Sequence, residues 1–268
     1  MTRLSHALIP ALIPLLLLAG CSTAGGGQGG QRSARGAPAM KLPETANPSA
    51  VVARELAFAR MAREEGQWTA FRAFAAPGAV LHGQGGPIEA LPWLEGKLDP
   101  PKSVQWAPRA VWSSCDGGTV VSFGRFAEPE GQFGYFVTVW ERQGDGEYKY
   151  VYDFGWPDAE LTRAEQKRLA EQTAQGEDNA ILVEAYNFIE GNVAQCAKGE
   201  TIPEVPGSAG GLTISSPDMQ FKYTSSKDGT LQWRWGQLPD GTRKFSAIYL
   251  QDGQWAQALS HTVPAAGK

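Results

Sequence analysis

Histidine and cysteine are scarce in this chain of 268 residues, three of each. No H-E-x-x-H or C-x-x-C spacing exists, so neither a metal site nor a cofactor is expected. No G-x-S-x-G elbow appears. The glycines from Gly25 to Gly30 have no strand before them and no helix after them, which excludes a phosphate loop. A basic excess is also missing: Lys and Arg total 24 against 28 Asp and Glu, a net charge of -4. That balance argues against a nucleic-acid partner and offers acidic lipid no polybasic patch. The longest apolar run, Ala7 to Leu18, is too short to span a bilayer stably and is interrupted by Pro10 and Pro14.

What is present begins at the N-terminus. Arg3 gives a short positive region before the apolar run, and the run ends in Leu18-Ala19-Gly20-Cys21. This resembles the bacterial lipobox, in which small residues let a peptidase reach the backbone and the cysteine thiol receives lipid. The resemblance implies a lipoprotein: signal peptide 1–20, cleavage before Cys21, and a lipid anchor in the cell envelope facing the periplasm. Ser22 stands where many inner-membrane lipoproteins have Asp, which leans towards the outer membrane. With Cys21 lipidated, Cys115 and Cys196 remain. They are either a disulfide or two separate buried thiols.

Residues 21–46 are rich in Gly, Ser, Ala and Gln, a flexible tether reaching roughly 25–30 Å on average. Asn47-Pro48 suits a helix start, and Val51, Leu56, Phe58, Ala59 and Ala62 supply an apolar side up to Gly66. Short helices are expected over 68–75 and 88–95, with a short strand, 79–82, between them. Four strands follow over 104–114, 119–127, 133–142 and 147–155. Their separators, Asp116-Gly117-Gly118, a loop with Pro129, and Gly144-Asp145-Gly146, favour hairpins.

Helices followed by an antiparallel meander resemble the nuclear transport factor 2-like superfamily, which includes ketosteroid isomerases and polyketide cyclases. The residues that carry the likeness are Ala57-Phe58-Ala59, Gly66-Gln67-Trp68-Thr69-Ala70-Phe71, Ala79-Val80-Leu81 and Cys115-Asp116-Gly117. The run Gly134 to Trp140 and the closing Tyr152-Asp153-Phe154-Gly155 complete them. The resemblance covers 47–156 and implies an α+β cone, a curved sheet wrapped on a helix around a pocket. Chemistry varies widely among such proteins, and many have none.

Residues 157–217 read as a helical segment and linker, with Thr162-Arg163-Ala164-Glu165 as a capping box before a helix to 175. Residues 180–197 suit a helix, or a strand from 192 onward. Asp228-Gly229, Asp240-Gly241 and Asp252-Gly253 then recur at twelve-residue spacing, a C-terminal β-meander over 218–263. The strand from Phe133 to Arg142 is apolar on both faces, Tyr135, Val137 and Val139 against Phe136, Thr138 and Trp140. It therefore needs a cover on both. The helices provide one. The meander, or a second copy in a homodimer, provides the other.

The candidate site follows from the cone. On the last strand Tyr148, Tyr150, Tyr152 and Phe154 are expected on one face, with Lys149, Val151 and Asp153 on the other. Asp153 facing an apolar pocket would have a raised pKa and could abstract a proton beside a carbonyl, as the isomerase resemblance implies. The alternative is an ordinary structural carboxylate. His82, at a strand end before a glycine-rich loop, is either its acid–base partner or a surface histidine. Trp68, Phe71, Tyr135 and Trp112 are candidate pocket walls, against the alternative that the aromatic rings simply fill a core. Three functions fit: a non-catalytic domain binding a small apolar ligand or a partner, an isomerase or cyclase using Asp153, and a structural lipoprotein with a filled cone.

Overall fold

The computed structural model describes residues 45–174, 188–197, 199, 201–205 and 218–265. The lipobox, Cys21 and the tether up to residue 44 lie outside the described residues. So do 175–187 and most of the linker, with the helix considered at 180–187. Among the described residues no helix is long and apolar enough to cross a membrane.

Helix α1 (Pro48–Glu64) has proline in its first turn, and the Asn47 carbonyl accepts from Ala50 N at 3.0 Å. The Asn47 side chain makes no cap bond. Val51, Glu55, Phe58, Ala59 and Ala62 are buried at helical spacing. Gly66 breaks the helix at φ +123°, where a Cβ would fall 2.3 Å from the Asp99 carboxylate. That carboxylate takes the place of a local cap for α2 (Gln67–Phe74). It accepts from Trp68 N, from Thr69 N at 3.0 Å and from Thr69 Oγ1 at 2.6 Å. Strands β1 (Ala75–Gly83) and β2 (Gly86–Glu89) and the short α3 (Ala90–Leu94) follow.

The expected meander forms as β3 (Gln105–Ser113), β4 (Thr119–Ala127), β5 (Phe133–Arg142) and β6 (Tyr148–Pro157). It is the centre of a larger sheet. Beyond β6 stand β1, paired parallel to it, and then β2; β7 (Glu190–Val193) joins the other edge, parallel to β3. The sheet is therefore mixed. Helix α4 (Ala159–Ala174) starts earlier than its capping-box motif. Asp158 Oδ1 accepts from Leu161 N at 2.7 Å, whereas Thr162 Oγ1 accepts from Phe133 N at 3.0 Å and pins the helix to β5.

A bulge corrects the expected face assignment of β6. Trp140 pairs with Tyr150 and Val139 with Tyr152, so Val151 is the extra residue. Alternation switches there. Tyr148 and Tyr150 pack with α1 and α2, while Tyr152 and Phe154 pack on the opposite side. Asp153 consequently shares a side with the Tyr150 ring.

Strands β8 (Gln220–Ser225), β9 (Leu231–Gln237), β10 (Arg243–Gln251) and β11 (Gln254–Val263) form a second, antiparallel sheet at the three Asp-Gly turns. It covers the face of the first sheet opposite the helices. Val121, Val137, Val139, Tyr152 and Phe154 share one core with Leu231, Trp233, Trp235 and Phe245. Tyr152 stacks on Trp235 and on Phe245, with ring centroids 6.2 and 5.7 Å apart.

The second sheet repeats β3–β6 in its hydrogen bonds. Ser114 Oγ donates to Asp116 Oδ1 at 2.6 Å and accepts from Thr119 N at 3.0 Å. Ser226 Oγ donates to Asp228 Oδ1 at 2.7 Å and accepts from Leu231 N at 3.0 Å. Gly131 N bonds Glu128 O, and Gly241 N bonds Leu238 O, both at 2.9 Å. The bulge at Val139/Trp140 recurs at Ala247/Ile248. In register, Val121↔Val139 and Phe123↔Val137 correspond to Trp233↔Ala247 and Trp235↔Phe245. These matched pairs contribute to the layer between the sheets. The equivalent turns also touch, Asp116 N donating to Asp228 Oδ2 at 2.8 Å.

Cys115 and Cys196 are disulfide-bonded, their Cα atoms 5.1 Å apart. The bond ties the β3–β4 turn to the strap that begins at β7. The strap continues to the second sheet, where Gln195 N donates to Leu250 O at 2.8 Å.

Candidate functional site

Between the helices and the first sheet lies a cavity of about 390 Å³. Helix α1 contributes Phe58, α2 contributes Trp68 and Phe71, and the strands contribute Trp106, Phe126 and Phe136. Rings on two helical turns and three strands meet because the α1 spacing and the strand alternation both aim inward there. Polar lining comes from Gln67, Gln84, Glu128 and Asp153, and among the described residues no Lys, Arg or His lines it.

Asp153 lies on the cavity wall, held by the shifted alternation of β6. Its Oδ2 accepts from Thr138 Oγ1 at 2.9 Å on the neighbouring strand. Burial pushes its pKa up to about 6, against the Thr138 bond, which favours the ionised form.

Glu55 is a second carboxyl in the cone, and sequence reasoning missed it. It is fully buried on α1. Oε1 accepts from Trp106 Nε1 at 2.9 Å. Oε2 accepts from Ser122 Oγ at 2.7 Å and from Trp140 Nε1 at 3.0 Å. Burial raises its pKa to about 7 despite these donors, and the charge of Asp153 adds to the rise. Trp106 therefore has two roles, a wall of the cavity on its ring and a tether to Glu55 on its nitrogen. The only sequence signal for Glu55 was its spacing four after Val51 and three before Phe58.

The structure does not bring His82 to Asp153. His82 is 2% exposed and faces the second sheet, its ring 5.1 Å from that of Trp235. Nε2 meets Gln237 Oε1 at 2.7 Å, and that oxygen can only accept, so Nε2 carries the proton. Nδ1 then accepts from Tyr152 OH at 2.8 Å. Burial lowers the His82 pKa to about 4, with Arg243 pushing the same way. The neighbouring Arg243 donates to the carbonyls of His82 and Gly155, each at 3.2 Å. This is a neutral histidine in an inter-sheet seam.

Of the four expected wall residues, Trp68 and Phe71 line the cavity. Tyr135 and Trp112 do not. Tyr135 precedes Phe136 on β5, so strand alternation sends it to the other face, where it stacks on Phe123 at 5.6 Å. Trp112 belongs to the core between the sheets, while Val111 faces the helices.

Among the described residues no group of three His, Cys, Asp or Glu side chains is placed to hold a metal ion.

No protein-family profile matches the chain, and no curated protein matches it. Solved structures do. A ketosteroid isomerase-like protein of Parabacteroides distasonis aligns at 11% identity and TM-score 0.36, over 44% of this chain and 98% of its own. Nuclear transport factor 2 of Cryptosporidium parvum aligns at 14% identity and TM-score 0.32, over 42% of this chain and 98% of its own. Each solved chain is covered almost whole, whereas less than half of this chain is.

Proposed function

We propose that the cone is a binding site for a small, largely apolar molecule, oriented by the Asp153 carboxyl. The observation that carries this is a cavity of about 390 Å³ walled by aromatic rings, with the Asp153 carboxyl, its pKa raised by burial, on its wall. Apolar walls supply affinity without direction, and a buried carboxyl on the wall supplies direction. A filled cone, the structural-lipoprotein alternative, does not fit such a space. The test uses the neutral dye N-phenyl-1-naphthylamine. Its fluorescence should rise on mixing with the protein and stay low with Val104→Trp, which fills the cavity from its wall. A signal unaffected by that substitution would place the dye elsewhere and overturn the assignment.

A second function is favoured by the Asp153 pKa alone. A carboxyl titrating at about 6 is ionised near neutrality and basic enough to take a proton from a carbon beside a carbonyl. In this reaction Asp153 is the base and then returns the proton. Exchange of deuterium from solvent into a bound ketone, lost in Asp153→Asn, would separate catalysis from binding.

The chain is further proposed to act in a bacterial cell envelope, held by lipid on Cys21. Two features support this: the Leu-Ala-Gly-Cys context and a disulfide that needs an oxidising compartment.

A further inference from the structure

We infer that the ligand of the cone is a lipophilic ammonium, an organic cation with an apolar body. The inference rests on the cone being a ligand site and names what that site selects. Six aromatic residues and two carboxyl groups line one cavity, and among the described residues no lysine, arginine or histidine does. The exposed π-faces of such rings attract cations, and a carboxylate completes the attraction with a charge-assisted hydrogen bond.

The charges around Asp153 point the same way. From α1, Glu55 couples to it. From β6, the Tyr150 and Tyr152 phenols feel its charge, and both are held neutral by burial. From the β4–β5 turn, Glu128 lines the same cavity, its pKa raised by burial and by Glu130. Lys149, the cation on β6 nearest in sequence, is spent on the Ala73 carbonyl, and Arg72 of α2 on the carbonyls of Leu94 and Lys97. Arg243 bonds the carbonyls of His82 and Gly155 on the inter-sheet side. A bound ammonium would supply the missing positive charge and favour ionised Asp153. An anionic ligand would meet two carboxyls and, among the described residues, no lining cation.

A neighbouring groove extends the pattern. This surface groove, which shares Glu128 with the cavity, adds Glu64, Glu65 and Asp99 against Arg63 and Lys102. Its carboxylates outnumber its cations, which favours the approach of a cation at low salt.

The test titrates the full chain with three probes of one shape by calorimetry: 2-phenylethylammonium, neutral 2-phenylethanol and anionic 3-phenylpropionate. At about pH 8 the ammonium should bind roughly tenfold or more tighter than the alcohol, the range of a hydrogen bond to a charged group, and the anion weakest. The preference should shrink towards unity in Asp153→Asn. In the wild type it should fall as pH drops through about 6, where Asp153 protonates, so a poorly folding variant does not remove the test. Alcohol and ammonium bound equally would overturn the cation inference and leave the ligand cavity standing. The anion binding best would also overturn it. No binding by any of the three, together with no uptake of the neutral dye, would overturn the cavity itself.

Discussion

Glu55 gives the sharpest test of how the cone is held together. It is the shared acceptor of two indole N–H groups and one hydroxyl. Glu55→Ala would take the carboxylate acceptor from all three donors at once. Ser122 retains the Thr138 carbonyl at 3.3 Å, and Trp140 Nε1 retains Ser122 Oγ at 3.2 Å. Trp106 Nε1 loses its acceptor, at a cost of about 1–3 kcal/mol. The vacated volume adds about 2–3 kcal/mol. The sum, about 3–6 kcal/mol, is a large part of a typical domain's stability. Glu55→Gln keeps the volume, and its amide can still accept from Trp106 and donate to Ser122. It should be tolerated, and it should change the pH dependence.

The sign is fixed by the direction of the shift. The folded-state pKa of Glu55 is raised from 4.5 to about 7, so the native state holds the proton more tightly than the unfolded chain. Stability is full below about pH 4.5 and declines as pH rises towards 7. The shift corresponds to about 3 kcal/mol. Asp153, raised from 3.8 to about 6, contributes in the same direction. Urea unfolding across that range should therefore show wild type losing stability faster than Glu55→Gln, the gap widening by about 3 kcal/mol. Parallel curves would refute a buried, proton-holding Glu55.

Further outcomes follow from other parts of the fold. The Cys115–Cys196 bond spans 81 residues, so Cys115→Ser with Cys196→Ser should lower stability by roughly 4 kcal/mol in the chain-entropy account, read by urea unfolding. Asp228→Ala removes the acceptor for Ser226, Thr230 and Asp116 N, and should cost about 1–3 kcal/mol with faster amide exchange in β8 and β9. His82 is held neutral, so its contribution is present above pH 6.5 and is lost as pH falls towards 4; His82→Gln should flatten that acid limb in thermal unfolding. Cys21→Ser should abolish fatty-acid labelling and release the protein from membranes, and unchanged labelling would remove the lipid anchor from the account.

Much of the fold was legible because its signals are local. Strand alternation, Asp-Gly turns and the Pro48 helix start each depend on neighbours in sequence, and the two-sided apolar β5 implied a second layer. The failures are non-local. A single extra residue, Val151, moved Tyr152 and Phe154 to the other face, and nothing in the run Tyr148 to Phe154 marks it. Glu55 follows Arg54 on a charged helix and resembles a solvated position until Trp106, Trp140 and Ser122 surround it. His82 looked exposed at a strand end because the cover that buries it comes from Trp235 and Gln237, more than 150 residues away in the chain. The repeat was half visible. The Ser-x-Asp-Gly pattern stands at Ser114 and again at Ser226, but the intervening strands share almost no residues.

The carboxyl of Asp153 is the point on which the account turns, and carbon-13 NMR of the side chain reads it directly. Titrated without ligand, its resonance should move with a midpoint near 6, well above the usual aspartate range. With 2-phenylethylammonium bound, that midpoint should fall, because the bound cation favours the ionised form. A midpoint near 4 that no ligand displaces would show a solvated structural carboxylate and contradict the account.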